Sequence, residues 1–341
     1  MIIAVRNEEH TILNLLRDLN HQDYPFQNFE VIVIDDFSTD KTCEIIRDYH
    51  PAYNLQLLSL PEPFRHFSNK KRAISQGIDL STGELIISTD GDCRVGSKWL
   101  SSMEYVYAHQ GAKMITGPVT FFSSGNIFKQ MQTIEFASLI GSGAASLNLG
   151  YPNMCNGANL AYEKKVFYEV KGYEGFENIA SGDDEFLMHK IYEKYPGKVV
   201  FLKSREAIVT TEAKVNLRDF ANQRKRWASK WGHYRIKSIK LLAFFIFLYN
   251  LSLLAMVIMT LTGDFPPIIL LEQILIKICI EFVFLKRVLG FFGKKMQFFT
   301  FYLLQMVHPF YITFFALSSL SGKYEWKGRN LKPLKIDRPG I

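Results

Sequence analysis

The stretch Glu84-Leu85-Ile86-Ile87-Ser88-Thr89-Asp90-Gly91-Asp92 decides the fold class of this chain. It predicts a buried apolar strand that ends on two carboxylates separated by one glycine. Aspartate is depleted in strands, so a pair of aspartates here has a specific reason. At a strand end of an open α/β sheet, where ligands bind, the pair would hold a divalent cation beside a diphosphate. The alternative is an exposed Asp-Gly-Asp turn that closes a hairpin.

The residues before this stretch alternate between short apolar runs and helical patterns. Strands are predicted at 1–5, 29–34 and 55–60, and helices at 10–19, 41–49 and 68–77. Such alternation indicates a mostly parallel sheet with helices on both faces. After Asp92 the strand–helix alternation ends. A strand is predicted at 113–122 and one long basic helix at 216–236. The segment 127–147 between them could lie in a membrane interface.

The apolar residues of the 341-residue chain are concentrated near its end. Residues 1–240 have a soluble composition, whereas Leu241–Leu261 is charge-free and long enough to span a bilayer. Ile268–Leu285 is also apolar, although it carries Lys277 and Glu281, which can pair on a helix. Phe298–Leu320 is a third candidate. The alternative, a buried soluble core, fits the charge-free first segment poorly.

The charge distribution bears on compartment and partners. The net charge is +7, and basic residues cluster directly before the apolar block. That position favours lipid headgroups or a diphosphate, and no nucleic-acid-binding signature occurs. Charges at Arg6, Glu8 and Glu9 interrupt the opening apolar run, so no signal peptide is predicted. The four cysteines show no paired spacing, which fits a reducing compartment.

These features predict a multi-pass protein of the inner cell membrane whose soluble part is cytoplasmic. Lys286-Arg287 and Lys294-Lys295 also favour a cytoplasmic loop, as do the basic residues after 322. Three simple spans cannot place both the loop at 286–295 and the tail after 322 in the cytoplasm. Either the last segment is re-entrant or interfacial, or the tail lies outside.

Two further acidic runs follow predicted elements. Asp35-Asp36 ends a strand and would share the sheet edge with Asp90 and Asp92. These carboxylates would accept hydrogen bonds from a nucleobase or ribose. Alternatively, they would only shape the turn and interact with the dipole of the helix that follows. Asp183-Asp184-Glu185 opens a helix. It would supply a general base, an N-cap, or both at once.

The basic run Gln223-Arg224-Lys225-Arg226-Trp227 places Gln223, Arg226 and Trp227 on one helix face. Arginine can hold a diphosphate bidentately, and the indole can stack on a sugar ring. A membrane-proximal amphipathic helix with an interfacial Trp is the other interpretation. No G-x-G-x-x-G, P-loop, G-x-S-x-G or H-E-x-x-H motif occurs. A receiver-type phosphoacceptor would explain only Asp35-Asp36.

Together these motifs resemble the inverting family 2 glycosyltransferases, with the D-D-x-S-x-D-x-T, D-x-D, E-D-x-x-L and Q-x-x-R-W patterns in the right order over about residues 1–235. The resemblance implies an α/β GT-A fold, a Rossmann-like mixed sheet that binds a nucleotide-diphospho sugar, followed by transmembrane helices. The implied domains are a catalytic domain at 1–235, transmembrane or interfacial helices at 236–322, and a basic tail at 323–341. Position 183 is Asp where the pattern often has Glu.

The resemblance also implies roles for individual residues. Asp92 would bind Mg²⁺ or Mn²⁺, Asp90 would contact the ion or the ribose, and Asp184 would be the catalytic base. The implied donor-nucleotide residues are Ala4, Arg6, Glu8, Asp35, Asp36, Lys70 and Asp90. The implied diphosphate or acceptor residues are Asp183, Gln223, Arg226 and Trp227.

The implied reaction is a one-step, inverting sugar transfer to a glycan or lipid-linked acceptor, made by a membrane-bound enzyme in contact with membrane lipids. The Q-x-x-R-W motif occurs in processive synthases but does not prove processivity. A non-catalytic sugar-nucleotide sensor or assembly scaffold at the membrane is the alternative. Asp184 and Trp227 count against it, because binding alone requires neither.

Overall fold

This computed structural model describes residues 1–60, 69–122, 125–179, 181–234, 236–319, 324–326 and 329–331. They form two compact units. The first unit comprises Met1–Phe122, Ser142–Glu212 and the end of the chain, where 329–331 is described. The second comprises Ser123–Gly141 and Ala213–Trp326. The boundary after Glu212 precedes the domain end predicted at residue 235.

The elements follow the predicted order. The strands are β1 Ile2–Val5, β2 Glu30–Asp35, β3 Asn54–Ser59, β4 Leu85–Asp90, β5 Met114–Thr116, β6 Val119–Phe121, β7 Leu160–Glu163, β8 Val199–Phe201, β9 Val209–Thr211, β10 Tyr324–Trp326 and β11 Arg329–Leu331. The helices are α1 Ile12–Leu19, α2 Thr42–Asp48, α3 Asn69–Leu80, α4 Trp99–Gln110, α5 Ile127–Asn148, α6 Lys164–Glu169, α7 Glu185–Lys194, α8 Leu217–Ala228, α9 Lys237–Thr262, α10 Pro267–Phe291 and α11 Phe298–Ser319.

The first unit is built on a seven-stranded sheet in the order β3-β2-β1-β4-β7-β5-β8. The four strands β3, β2, β1 and β4 are parallel to one another, whereas β7 is antiparallel to both β4 and β5. A second, two-stranded sheet pairs β6 with β9. This mixed α/β architecture confirms the predicted fold class.

The core of the first unit forms where apolar residues face the sheet. On β2, the run Val31–Ile34 is fully buried. Helix α1 buries Ile12, Leu15, Leu16 and Leu19, a spacing that places them on one helix face and confirms the predicted helical pattern. The edge strand β3 alternates between exposed and half-buried residues.

One predicted strand is wrong. The apolar run 113–122 forms two strands, β5 and β6, in different sheets. The chain leaves the first sheet at Gly117-Pro118, because Pro118 has no N–H for a ladder. Its carbonyl accepts a hydrogen bond from the side-chain amide of Asn159 at 2.8 Å, and Gly117 N–H donates to the Asn159 carbonyl.

The predicted long basic helix at 216–236 is also wrong in extent. Helix α8 begins after Asn216, whose side chain caps the Asp219 N–H, and ends at Ala228. The Ser229 hydroxyl donates to the Arg226 carbonyl, a local bond that competes with continuation of the helix. A short 3₁₀ turn, Trp231–His233, follows before α9 begins at Lys237.

In the second unit, helices α9 and α11 are long and apolar enough to cross a membrane by length and composition. Within the protein, 11% of the apolar window of α9 and 28% of that of α11 are buried. Helix α10 carries the predicted Lys277–Glu281 ion pair, 2.8 Å between Nζ and Oε1. Gln305 of α11 completes that cluster by bonding to both side chains.

Candidate active site

The carboxyl ends of three parallel strands meet at one edge of the first sheet. Ala4 of β1 lies beside Asp90 of β4, and Val5 lies beside Asp35 of β2. The antiparallel strand β7 enters the sheet at this same edge, because its first residue, Leu160, pairs with Ser88. The loop before β7 therefore joins the acidic strand ends, and the candidate site is built there.

The loop after β1 and the loop after β2 are locked together. Arg6 donates from Nη1 to the carbonyls of Asp36 and Phe37 at 2.6 and 2.8 Å. The Asn7 N–H donates to the Ser38 hydroxyl, and Asn7 Oδ1 accepts from the Thr39 N–H. The loops at 6–8 and 36–39, about 30 residues apart in the chain, are thus joined by hydrogen bonds at one side of the site. We call these two loops the lip.

The lip contains two residues with left-handed backbone, Asn7 at φ 51° and Phe37 at φ 58°. Non-glycine residues in this region are strained, and such strain concentrates at functional sites. Asp35 and Asp36 are both almost fully buried. The Asp35 carboxylate accepts the Ser38 N–H at 3.1 Å, so part of its role is to shape this turn.

The Asp90-Gly91-Asp92 turn packs tightly against the loop after β1. A Cβ at Gly91 would lie 2.9 Å from Cγ1 of Val5 and 3.2 Å from Cγ of Glu8. Only glycine fits this close approach without movement of a neighbour. The turn thereby brings Glu8, a residue predicted for the donor nucleotide, against the predicted metal-binding motif.

Lys70 joins two acidic motifs that lie far apart in the chain. Its Nζ lies 2.9 Å from Oδ1 of Asp90 and 3.2 Å from Oδ2 of Asp183. We call Lys70, Asp90 and Asp183 the acid–lysine cluster. It brings together the strand-end motif and the acidic helix start.

The electrostatics of this cluster follow from its geometry. Burial alone would raise the pKa of Asp183, but the charges of Lys70 and Lys71 outweigh burial and hold that pKa below its usual value. Burial opposes the charged form of Lys70 as well. The neighbouring carboxylates of Asp183 and Asp90 nevertheless raise its pKa well above the ordinary value.

Asp184 caps helix α7 with one carboxylate oxygen and reaches a loop with the other. Oδ1 accepts the Glu185 N–H at 2.8 Å, and Oδ2 accepts the Gly157 N–H at 2.9 Å. Both interpretations of this motif are therefore compatible, because the cap fixes the carboxylate in one orientation. Gly157 was not a predicted site residue. The Asn156-Gly157 dipeptide before β7 is the sequence feature that indicates a turn at this position.

The donor set at the turn fits a hard divalent cation. Asp90 is partly exposed, with 38% of its side-chain surface accessible, and Asp92 is half-buried. Among the described residues no group of three His, Cys, Asp or Glu side chains is arranged to hold a metal ion. Mg²⁺ sites of phosphate-transfer chemistry need only one or two carboxylates, the rest being water and substrate oxygens. Asp90 and Asp92 match that pattern.

The Q-x-x-R-W residues belong to the second unit, on helix α8. On this helix Arg224, which was not a predicted site residue, is buried and pairs with Glu135. The Tyr311 hydroxyl accepts a hydrogen bond from Arg224 and donates one to Glu135. We call Glu135, Arg224 and Tyr311 the buried triad. Its sequence signal was weak, because the partners are 89 and 87 residues from Arg224.

The buried triad orients two of the predicted ligand-binding side chains. Arg224 Nη1 donates to Oε1 of Gln223 at 3.0 Å. The guanidinium carbon lies 4.2 Å from the Trp227 ring centroid, and Phe136 stacks on the same indole at 6.0 Å. Arg226 is half-buried on the same helix.

Comparisons with known proteins show which proteins the chain is similar to. Glycosyltransferase AglE of Haloferax volcanii is 34% identical over 122 residues, 36% of this chain and 39% of that protein. The poly-beta-1,6-N-acetyl-D-glucosamine synthase of Staphylococcus epidermidis is 29% identical over 174 residues, 50% of this chain and 40% of that protein. The chain thus spans about two fifths of the length of these curated relatives.

A solved structure shares the fold. The mannosyltransferase PcManGT from Pyrobaculum calidifontis, in complex with GDP-Man and Mn²⁺, superposes with a TM-score of 0.54 at 16% identity, over 94% of this chain and 84% of that chain. The mixed sheet of the first unit therefore belongs to the GT-A fold class. Residues 1–170 match the model described as Glycosyl transferase family 2, and the chain belongs to that family.

Proposed function

We propose that this chain is a membrane-bound inverting glycosyltransferase. It moves a sugar from a nucleotide-diphospho donor to a hydroxyl of a glycan or lipid-linked acceptor. The observation that carries the proposal is the acid–lysine cluster, in which one ammonium group holds the strand-end motif and the Asp183-Asp184 motif together. The family membership and the nucleotide-sugar complex of the solved neighbour support it.

Asp184 is the general base of the proposed reaction. It accepts the proton of the acceptor hydroxyl while that oxygen attacks the anomeric carbon from the face opposite the leaving group. Its two N–H donors, Gly157 and Glu185, hold the carboxylate still and reduce the reorganisation needed during the step. A single displacement of this kind inverts the anomeric configuration.

The remaining residues bind and orient the donor. The lip formed by Arg6, Glu8 and Asp36, with Ala4 and Asp35, takes the nucleoside, and Lys70 offers positive charge to the diphosphate. Asp90 and Asp92 would hold Mg²⁺ or Mn²⁺, which supplies Lewis-acid neutralisation of the diphosphate when bound. By resemblance, Gln223, Arg226, Trp227 and Asp183 serve the diphosphate or the acceptor.

Membrane attachment through α9 and α11, with the first unit in the cytoplasm, completes the proposal. Both helices expose many large apolar side chains, including Phe245 and Leu261 on α9 and Phe310 on α11. Basic residues at Lys237 and Lys240 open α9, where anionic headgroups would meet them.

Transfer by the purified full chain tests the proposal. Protein in lipid nanodiscs would be incubated with a panel of uridine and guanosine diphospho-sugars, Mn²⁺ and a mixture of glycan and lipid-linked acceptors, and release of nucleoside diphosphate measured. We expect turnover of at least one donor by the wild type and by Asp79→Asn, a control that alters an acid bonded to Tyr168 instead of the site. Donor binding without turnover by any donor would favour the sensor or scaffold instead.

A further inference from the structure

We propose that Lys71 is the positioning residue that holds the segment carrying Asp184. The inference rests on the proposed function and extends it to a residue that was not among the predicted site residues. Lys71 lies on α3 beside Lys70 and is fully buried, which is rare for lysine. A buried ammonium group is costly unless each of its donors is satisfied, so its partners identify what it does.

Among the described residues, three main-chain carbonyls of one loop accept hydrogen bonds from Lys71. Lys71 Nζ donates to Phe176 at 2.7 Å, to Ile179 at 2.6 Å and to Ser181 at 3.2 Å. Three carbonyls match the three N–H donors of an ammonium group. The ammonium group therefore ties this loop to α3 at several points, more than 100 residues away in the chain.

The last of these carbonyls lies three residues before Asp184. Gly182 follows Ser181 with φ 79°, a left-handed turn that sends the chain into the start of α7. Asp184 then caps the helix. Because the turn is short, the position of the Ser181 carbonyl sets where Asp183 and Asp184 enter the site.

A second contact fixes the same helix start. Phe176 and Phe186 stack face to face at 4.3 Å between centroids, one from the loop and one from the first turn of α7. Lys71 Nζ lies 5.5 Å from the Phe186 centroid, within range of a cation–π interaction. Lys71 thus contacts the loop and the first turn of α7 together.

Lys70 and Lys71 are neighbours on α3 and contact different parts of the same segment. Lys70 contacts the carboxylates of Asp90 and Asp183, whereas Lys71 contacts the backbone that carries Asp183 and Asp184. Loss of Lys71 should consequently misplace the base while leaving the donor lip unchanged. This predicts a fall in kcat with little change in the donor KM.

The chain provides a matched control in Lys190. Its Nζ donates to the carbonyls of Gly172 at 2.8 Å, Glu174 at 3.2 Å and Lys171 at 3.3 Å. The chemistry is the same, a lysine bound to three carbonyls of the segment before α7. Lys190, however, is half-buried on α7 itself, and the carbonyls that it holds belong to Lys171, Gly172 and Glu174, at least ten residues before Asp184.

The experiment compares Lys71→Met, Lys71→Gln and Lys190→Met in the full chain in nanodiscs. We expect kcat to fall about a hundredfold in Lys71→Met, because a displacement of about 1 Å has that effect. The donor KM should change less than about threefold, as the nucleoside lip is intact. Lys71→Gln, which keeps two N–H donors, should lie between Lys71→Met and wild type. Lys190→Met should retain kcat within about twofold even where it lowers Tm.

Amide hydrogen exchange gives a readout independent of turnover. Amides 183–187 should exchange at least about tenfold faster in Lys71→Met than in wild type, and not in Lys190→Met. Equal kcat losses in Lys71→Met and Lys190→Met would overturn the inference. So would folding of Lys190→Met while neither Lys71 variant folds, because Lys71 would then be purely structural. A wild type without turnover contradicts the proposed function, and the exchange data alone then decide whether Lys71 holds the segment.

Discussion

The acid–lysine cluster of the first unit and the buried triad of the second contain the same kinds of group used in opposite ways. Asp90 has 38% of its side-chain surface exposed, and carboxylates outnumber ammonium groups around Lys70. In the triad, Arg224 and Glu135 are 4% and 8% exposed, each contacts the other, and Tyr311 closes the arrangement.

The difference shows what makes an ion pair available for chemistry. An open cluster with excess negative charge attracts a cation or a phosphate-bound metal, since its charge is not fully compensated within the protein. A closed and neutral pair has no capacity left for a ligand, and its removal leaves an uncompensated charge in the interior. The first arrangement suits a site, and the second suits a support.

The largest effect is expected at the open cluster. Asp184→Asn should lower kcat about a thousandfold, because the amide cannot accept the acceptor proton. The single asparagine oxygen can still accept the Glu185 N–H but not the Gly157 N–H as well, so Tm should fall by the loss of about one hydrogen bond. Steady-state rates and thermal unfolding measure both quantities, and Asp79→Asn is the control. A variant with near wild-type kcat would remove Asp184 from the mechanism.

The next effect separates the closed triad from the open cluster. Arg224→Met should cost about 3–5 kcal/mol of stability, because it leaves Glu135 charged and buried. The double variant Glu135→Leu/Arg224→Met should recover most of that loss, since apolar side chains of similar size replace the pair. Denaturant unfolding in detergent measures the stabilities. A double variant as unstable as the single one would show that the triad is more than a closed pair.

Removal of the metal tests the openness of the cluster directly. Dialysis against EDTA should reduce transfer at least about a hundredfold, because neutralising diphosphate charge contributes several kcal/mol. Mn²⁺ or Mg²⁺ should restore the wild type, whereas Asp92→Asn should stay impaired at the same metal concentration. Full activity of wild type in EDTA would mean that Lys70 alone compensates the leaving diphosphate.

The smallest effect is a pH dependence of stability. Because Lys70 and Lys71 hold the pKa of Asp183 below its usual value, ionised Asp183 stabilises the fold above the unfolded pKa of about 3.9. This contribution is lost as pH falls below that value through the folded pKa. Tm measured from acid to neutral pH should therefore fall less steeply at acid pH in Asp183→Asn than in wild type. Parallel curves of Tm against pH for the two proteins would contradict this contribution of Asp183 to stability.

Local patterns were sufficient to predict the acidic edge of the sheet, but not the contacts of Lys70 with Asp90 and Asp183. Asp90-Gly91-Asp92 and Asp35-Asp36 follow apolar runs, and the parallel register of β1, β2 and β4 then brings them to one edge. The cap at Asp184 was likewise readable from the helix start. The Lys277–Glu281 pair followed from a four-residue spacing.

Long-range partners could not be predicted in the same way. Lys71 looked like one of several basic residues on a helix surface, and only tertiary packing shows that its donors meet carbonyls more than 100 residues away. Glu135 and Tyr311 carried no motif. The break at Pro118 was hidden in a continuous apolar run, because the side chain that stabilises it, Asn159, comes from another strand region.

The contact between Gly91 and Val5 links two positions in the evolution of the site. A methyl group at 91 would lie 2.9 Å from Val5 Cγ1, so the first step of any route away from glycine meets a steric barrier. Trimming Val5 to alanine removes the nearer of the two obstructing atoms and leaves Cγ of Glu8 at 3.2 Å, so the order of substitutions matters: Val5 first, position 91 second. Selection for new metal or donor preference at this turn should therefore recover paired changes, with single changes at 91 rare in the surviving population.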